Sequence, residues 1–489
     1  VEKTFFGHPR GLSTLFFTEM WERFSYYGMR ALLLLYMVTS IGEGGLGFDE
    51  KTSGAIYGLY TMMVYLLALP GGWIADNILG LRKSVFYGGC IISLGHFLLL
   101  FTFKESFFLG LLFIVIGTGM LKPNISSLVG ELYLPEENAR RDAGYSIFFM
   151  GINIGAFLAP FITGYFGEKI DWHYGFAVAG VGMVFGVIQF KLSEHRLGIA
   201  GSPPEVTVSQ KKNKLILLIA TVVIALVVTL MVTGIIVPDP IAIAGASAYV
   251  IAGSAALYFV FLLFFTKLEQ SERNGVIAIS VFFLASVIFY MGYEQAGSSL
   301  NLFALRYTDM TIGDFEMPAS WLQSVPAVSV LIFAPFFAWL WVKLSKHSLN
   351  PPTPVKMSMA LLFVAVSYLL MCGASLVIVG GQKALPTWLV MTYLLQTFGE
   401  ICLYPVGLSA VKKLSPKRFS AQLMGVWFMS LALGNLLAGL VAGEMDAERI
   451  AADPGVMVNL FLKTATIVFV AAISILAINK FLTKLTTKI

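Results

Sequence analysis

The stretch Thr18 to Arg30, TEMWERFSYYGMR, decides how this chain is read. On a helix advancing about 100° per residue, Glu19, Glu22, Arg23, Tyr26, Tyr27 and Arg30 fall within an arc of roughly 140°. Apolar residues flank it, LFF before and ALLLLYMV after, so the helix is long enough to cross a bilayer with four ionisable groups at membrane depth. Each charge near the bilayer centre costs at least about 2.5 kcal/mol on insertion scales, so this face must meet partners or a watery cavity rather than lipid. Two readings compete. One is a structural ion pair, Glu22 with Arg23 or Glu19 with Arg23; the other is a working surface. Two acids, two bases and two tyrosines on one side exceed what a staple needs.

Composition agrees with a membrane setting. A chain of 489 residues with 57% hydrophobic and only 12% charged residues reads as a polytopic membrane protein, all-α, rather than a string of soluble domains. Val1 to Arg10 is polar and the first apolar segment carries the charged face, so no cleavable signal peptide is expected. Cys90, Cys372 and Cys402 lie in apolar segments and have neither disulfide-framework nor metal-ligand spacing. No metal or other cofactor is expected. The net charge of +5 is modest and one-sided, which gives no nucleic-acid footprint.

Apolar segments of spanning length run near 14–38, 52–75, 84–103, 107–131, 143–166 and 174–190, then 215–237 and 243–266, then 276–300, 319–342, 357–379, 386–411, 421–442 and 458–482. The pattern is six, two and six. It predicts a six-helix bundle over 1–191, a cytoplasmic linker over 192–214 with Pro203 and Pro204, a two-helix insertion over 215–267 and a second six-helix bundle over 268–489. One alternate set of connections holds most of the basic residues, from Lys3 and Arg10 through Arg82, Lys83, Arg140, Arg141, Lys211, Lys212, Lys412 and Lys413 to Lys488. The other holds Lys51, Lys104, Lys169, Arg306, Lys383, Arg449 and Lys463, so the bias places both termini in the cytoplasm. Two bundles joined by a linker suggest a pseudo-symmetric transporter with its substrate near the midplane.

Without the central pair the two bundles make twelve helices, the first to sixth before it and the seventh to twelfth after it. GGWIADNILGLRK, from Gly71, is read as a short cytoplasmic loop carrying Asp76, Arg82 and Lys83, with a faint echo in FAWLWVKLSK from Phe337, after the eighth helix. Its form resembles the loop signature of the major facilitator superfamily. GTGMLKPN, from Gly117, sets Lys122 in the fourth helix about nine residues from its inner end, a depth matching that of Glu22 and Arg23. Lys122 can snorkel to the surface or pair with Glu19 or Glu22. FGEICLYPVGLS, from Phe398, buries Glu400 mid-way along the tenth helix, and YMGYEQAGSSLNLFA, from Tyr290, sets Glu294 deep in the seventh. Depth matching suggests two gate pairs, Arg30 with Glu294 outside and Lys122 with Glu400 inside. Asn153, in FFMGINIGAFLAP from Phe148, either packs or touches substrate, and Trp427, Phe428, Tyr26, Tyr27 and Tyr65 either line a cavity or fill core. His96 is read as a buried hydrogen-bonder rather than a proton carrier.

Together, the face at Glu19 to Tyr27, GTGMLKPN, FFMGINIG and GEICLYPVGLS resemble the proton-dependent oligopeptide transporters of the major facilitator superfamily, and the central pair resembles bacterial members. The resemblance spans nearly the whole chain. It implies proton-driven uptake of di- and tripeptides through the inner membrane, with the proton gradient in place of a cofactor. It also implies that Arg23 and Lys122 meet the peptide carboxylate, Glu400 and Asn153 its amino end, and Tyr27 and Tyr65 its backbone. Arg30 and Trp427 complete the expected substrate site. This chain departs from the family in three places. Gly58 stands where animal members carry a histidine, Pro326 where the family has an asparagine, and Tyr404 where some relatives have serine.

Plant relatives of the family include nitrate carriers, so a small anion is the competing substrate; a site with a carboxylate as well as bases suits a zwitterion better. An enzyme would need a catalytic constellation, and the sequence shows no HExxH and no Ser/His/Asp set at bilayer depth. A channel would show a pore loop or charge rings. The expected proton-coupling set is Glu19, Glu22, Arg23 and Glu294. Counting Glu400, Arg30 and Lys122 as well, the cavity holds one more carboxylate than bases, so one acid is left to take up a proton.

Overall fold

In a bilayer core every backbone N–H and C=O must be satisfied within the chain, so long apolar segments become helices. The computed structural model describes residues 4–134, 136–202 and 208–487. Lys3, Pro203, Pro204 and Lys488, named above, lie outside them. The spanning runs are α1 (Gly11–Val38), α2 (Glu50–Leu79), α3 (Leu81–Leu98), α4 (Lys104–Glu131), α5 (Ala139–Lys169), α6 (Trp172–Leu197), α7 (Lys211–Val232), α8 (Pro240–Phe265), α9 (Gln270–Tyr307), α10 (Ala319–Lys346), α11 (Thr353–Val379), α12 (Pro386–Leu414), α13 (Lys417–Ala442) and α14 (Gly455–Ala477). Among the described residues, 12 of these are apolar enough to be recognised by composition alone. The other two are α1, with its ionisable face, and the short α3. A hairpin of two-residue strands, Thr311–Ile312 and Phe315–Glu316, follows α9.

Four details differ from the sequence reading. The third span ends at Leu98: Leu99 to Phe101 form a turn in which Leu99 is buried and Leu100 and Phe101 face outward, and hydropathy does not distinguish such a turn from helix. The last span ends at Ala477, where the Asn479 amide donates to the Leu476 carbonyl, and a separate helix, Asn479–Thr487, follows. The stretch read as a loop from Gly71 is helical: Gly71 and Gly72 lie in Ala68–Ile74, Asp76 in a π-helical turn, Ala75–Leu79, and Gly80 alone breaks the run with φ +81. The stretch from Phe337 is likewise helical, and α10 ends only at Lys346.

The chain gathers into two compact units. The first comprises Val1–Leu32 and Met63–Ile243, the second Leu33–Met62 and Ala244–Ile489, so α1 and α2 each contribute to both. In the first unit α3 and α4 cross with backbones nearly touching: a Cβ on Gly95 would stand 2.8 Å from the Gly110 carbonyl. The residues after α6 are stapled to this unit. Arg82 donates to the carbonyls of Gly198 and Ala200, and the Glu131 carboxylate accepts from Gly201 N at 2.6 Å. The window of α7 has none of its residues buried, so this helix presents its surface to lipid; Asn213, near its start, lies 3.4 Å from Asn77 in the π-helical turn.

In the second unit, the Leu33–Met62 segment packs on α9 and α13. A Cβ on Gly58 would lie 2.8 Å from the Leu436 carbonyl, and one on Gly439 would meet Gly58 N at 2.6 Å. No side chain fits at that crossing. The histidine position noted for Gly58 is therefore closed here by backbone contact. Glu50, at the start of α2, pairs with Arg306 at 2.7 Å.

Candidate functional site

In the first unit, α5 brings α1 to its working geometry. A Cβ on Gly151 would meet the Phe16 carbonyl at 3.0 Å, and one on Gly155 would meet Arg23 Cβ at 3.1 Å, so the glycines of FFMGINIG let α5 lie against α1 beside the ionisable face. Thr163 adds a hydrogen bond to the Gly28 carbonyl at 3.2 Å. Glu19, Glu22 and Arg23 are 2%, 1% and 3% exposed. Arg23 Nε lies 2.9 Å from Glu19 and 2.6 Å from Glu22, so both pairs open in the sequence form at once around one nitrogen. That nitrogen has one hydrogen, and it is aligned for a hydrogen bond with neither acid. Among the described residues, Glu19 Oε2, Glu22 Oε1 and Arg23 Nη2 make no hydrogen bond. A buried cluster left in that condition is costly unless water, protons or ligand complete it.

Around this cluster stand the aromatics expected there. The Arg23 guanidinium lies 5.5 Å from the centre of the Tyr26 ring, which meets Tyr27 edge-on at 5.2 Å. Lys122 Nζ sits over the Tyr65 ring at 4.2 Å and acts on Glu22 through space. Lys122 is thus held toward the protein rather than snorkelled out. Next to it Asn124 donates to Gly71 O and Met120 O, which ties α4 to α2 beside Pro123. Asn153 is buried and its amide donates to Phe149 O, leaving its oxygen as the acceptor. His96 meets Ser25 Oγ at 2.6 Å on the other side of α1, as a buried hydrogen-bonder should.

In the second unit, Glu294 is not inside regular helix. The α-helical part of α9 ends at Tyr293, and Glu294–Gly297 form a 3-10 turn before the helix resumes at Ser299. Backbone groups at this break are met by other elements. Tyr368 of α11 donates to Gly292 O at 2.7 Å, Gln323 of α10 and Tyr393 of α12 both reach Ala296 O, and Ser298 donates to Ala438 O of α13. Glu294 is buried, and Glu400, on α12, accepts from the Tyr293 hydroxyl at 2.6 Å. Tyr293 is a site residue that the sequence reading passed over. Trp427 is wholly buried with its ring against Gly407, where it separates α13 from α12. Pro326 is the third residue of the α-helix beginning at Ser324, where a missing N–H costs nothing. Tyr404 is half-buried on α12, one turn beyond Glu400. Arg30 and Lys122 belong to the first unit, Glu294 and Glu400 to the second. Among the described residues, no three His, Cys, Asp or Glu side chains stand close enough to hold a metal ion.

Among the described residues, fourteen helices run as spans, two of them with ionisable or basic groups that hide them from composition alone, in the architecture of the major facilitator class of secondary transporters. The sequence model of the POT family matches residues 82–456, and the chain belongs to that family. Peptide transporter YePEPT of Yersinia enterocolitica is 39% identical over 490 residues, which cover 97% of this chain and 95% of its own. A Bacillus subtilis protein called Uncharacterized transporter YclF is 43% identical over 454 residues, 91% of this chain and 90% of its own. The crystal structure of peptide transporter POT in complex with sulfate matches with a TM-score of 0.90 at 38% identity, covering 99% of this chain and 97% of that one. The protein is thus a multi-pass component of a bacterial inner membrane.

Proposed function

We propose that this chain takes up di- and tripeptides together with protons by alternating access, with both termini in the cytoplasm. Membership in the POT family and likeness to peptide transporters support this activity. The observation that carries the mechanism is the separation of charge. Arg23 and Lys122 offer cations within one unit, while Glu400, held by Tyr293, offers an anion in the other. A zwitterionic peptide has its carboxylate and ammonium several bonds apart, and separated groups of opposite sign recognise both ends. A bare anion such as nitrate has no use for Glu400.

The proposed roles follow the same chemistry. Arg23 and Lys122 bind the peptide carboxylate, Glu400 and Asn153 the amino end, and Tyr27, Tyr65, Arg30 and Trp427 bound the space between. Arg30 with Glu294, and Lys122 with Glu400, act as outer and inner gate pairs. Glu19, Glu22 and Glu294, with Arg23, carry the proton. We assign 1–191 and 268–489 to two rocking bundles, 192–214 to their linker and 215–267 to an inserted helix pair. Protonating the one excess carboxylate makes the set neutral, and a zwitterion adds no charge, so the loaded carrier closes without burying net charge. The gradient supplies about 1.4 kcal/mol per pH unit and about 2.3 kcal/mol per 100 mV for one charge moved.

Radiolabelled dipeptide uptake into proteoliposomes under an imposed proton gradient tests the reading. Accumulation above the outside concentration, abolished by Lys122→Ala or Glu400→Ala, is the expected result. Gradient-driven nitrate uptake without peptide uptake overturns it.

A further inference from the structure

Tyr293 is the last residue of an α-helical segment, and its position is over-determined. Its ring stacks on Phe289 with centroids 5.6 Å apart and planes 16° from parallel, and meets Tyr290 edge-on at 6.3 Å. The backbone on either side of it is fixed from other helices: Gly292 O by Tyr368, Ala296 O by Gln323 and Tyr393, and Ser298 by its bond to Ala438 O. The phenol therefore has little freedom to follow a moving partner. From this fixed point its hydroxyl donates to Glu400 Oε2 at 2.6 Å. Glu400 sits on α12 directly after Gly399, whose missing Cβ lets Ala360 O approach, and just over one turn before Pro405. A glutamate side chain has three rotatable bonds, and a short, charge-assisted hydrogen bond from a rigid donor selects one carboxylate position among them.

Given the proposed role of Glu400, we infer that Tyr293 is a positioning residue for amino-end recognition: it fixes the Glu400 carboxylate in the place where it serves the peptide ammonium. The inference rests on the proposed peptide reading and deepens it. The phenol holds one oxygen of the carboxylate, so the side chain is already ordered and the peptide does not have to order it on binding. Donation from a neutral hydroxyl leaves the negative charge of Glu400 in place for the ammonium. The bond also places amino-end recognition one residue away from Glu294, on the same helical break.

The test uses Tyr293→Phe, which keeps the ring and its stacking on Phe289 while removing the donor. Peptide exchange is measured in proteoliposomes without a gradient, using a dipeptide with a free amino end and the same dipeptide N-acetylated. Losing one hydrogen bond to a charged group should raise the KM for the free dipeptide about tenfold or more, with the maximum rate nearly unchanged. The acetylated dipeptide, having no ammonium, should keep its KM, so the preference of the wild type for the free form shrinks. In a Glu400→Gln background the same substitution should add little. If wild type and Tyr293→Phe prefer the free dipeptide equally, the hydroxyl positions nothing and the inference is overturned. If the wild type itself fails to distinguish the two peptides, amino-end recognition by Glu400 is wrong, and the inference falls with it. A protein that exchanges no peptide at all refutes the transport reading instead.

Discussion

The Arg306 guanidinium lies 2.7 Å from the Glu50 carboxylate and ties the start of α2 to the end of α9. Arg306 also reaches Met445 O at 3.4 Å, so one side chain links three segments of the second unit. The pair is mostly buried, with 22% and 13% of the two side chains exposed, and should contribute about 1 kcal/mol to holding the start of α2 against α9. Glu50→Gln should therefore speed maleimide labelling of a cysteine placed at the buried Ser53 about fivefold, with the three native cysteines removed. Exchanging the charges, Glu50→Arg with Arg306→Glu, should restore slow labelling. Unchanged rates in the single variant would show that the pair does not hold the start of α2 in place.

The contact of Gly58 with Leu436 O and Gly439 is between backbones, which cannot yield as a flexible side chain does. Gly58→Ala should lower stability by about 1 to 3 kcal/mol through overpacking. Thermal unfolding of the purified protein reads this directly. A melting temperature equal to that of wild type would mean that the helices separate at no cost.

For the ion cluster, Glu22→Gln mimics the protonated acid. It should keep peptide exchange between equal compartments and lose accumulation against a gradient. Should Glu22→Gln, Glu19→Gln and Glu294→Gln each still concentrate peptide after a pH step, the carboxylate account of coupling fails. His96, joined to α1 through Ser25, would then be the next residue to change.

Asp49 caps α2. Partial burial pushes its carboxyl up, but hydrogen bonds from Thr52 N at 2.9 Å and the Thr52 hydroxyl at 2.7 Å prevail and hold it below the ordinary carboxylate value. A group depressed on folding adds stability that is present above its unfolded value and lost as the pH falls through the folded one. Asp49→Ala should cost about 1 kcal/mol near neutral pH, while Asp49→Asn should keep most of the cap. The stability gap between wild type and Asp49→Asn should narrow or reverse on acidification from about pH 6 to about pH 3. A gap independent of pH would remove Asp49 as the titrating cap.

The spans were legible because a bilayer demands about 20 apolar residues per crossing, a pattern that survives in sequence without knowledge of neighbours. The Glu19–Glu22–Arg23 cluster was legible for a related reason: its members lie within one turn, so helical periodicity alone brings them together. The break at Glu294 was not. Nothing in YMGYEQAGSS interrupts a helix as proline would, and the groups that satisfy the break, Tyr368, Gln323 and Tyr393, come from elsewhere in the chain. Tyr293 was hidden among 19 tyrosines, since only the folded chain puts its hydroxyl on Glu400. Gly58 looked like a substituted histidine; its reason, a helix crossing with Leu436 and Gly439, lies in residues some 380 positions away.

The lipid-facing helix α7 carries one more consequence. Its 22 residues rise about 33 Å, close to the roughly 30 Å of a hydrocarbon core. Lys211, Lys212 and Lys214 anchor one end at the headgroups, and with no residue of its window buried the protein does little to fix its tilt. Membrane thickness sets that tilt instead. In a thinner bilayer α7 must lean, and Asn213, near its anchored end, leans against Asn77 in the π-helical turn beside Asp76. A change of bilayer thickness would thus be felt first at the π-helical end of α2, through Asn213 and Asn77.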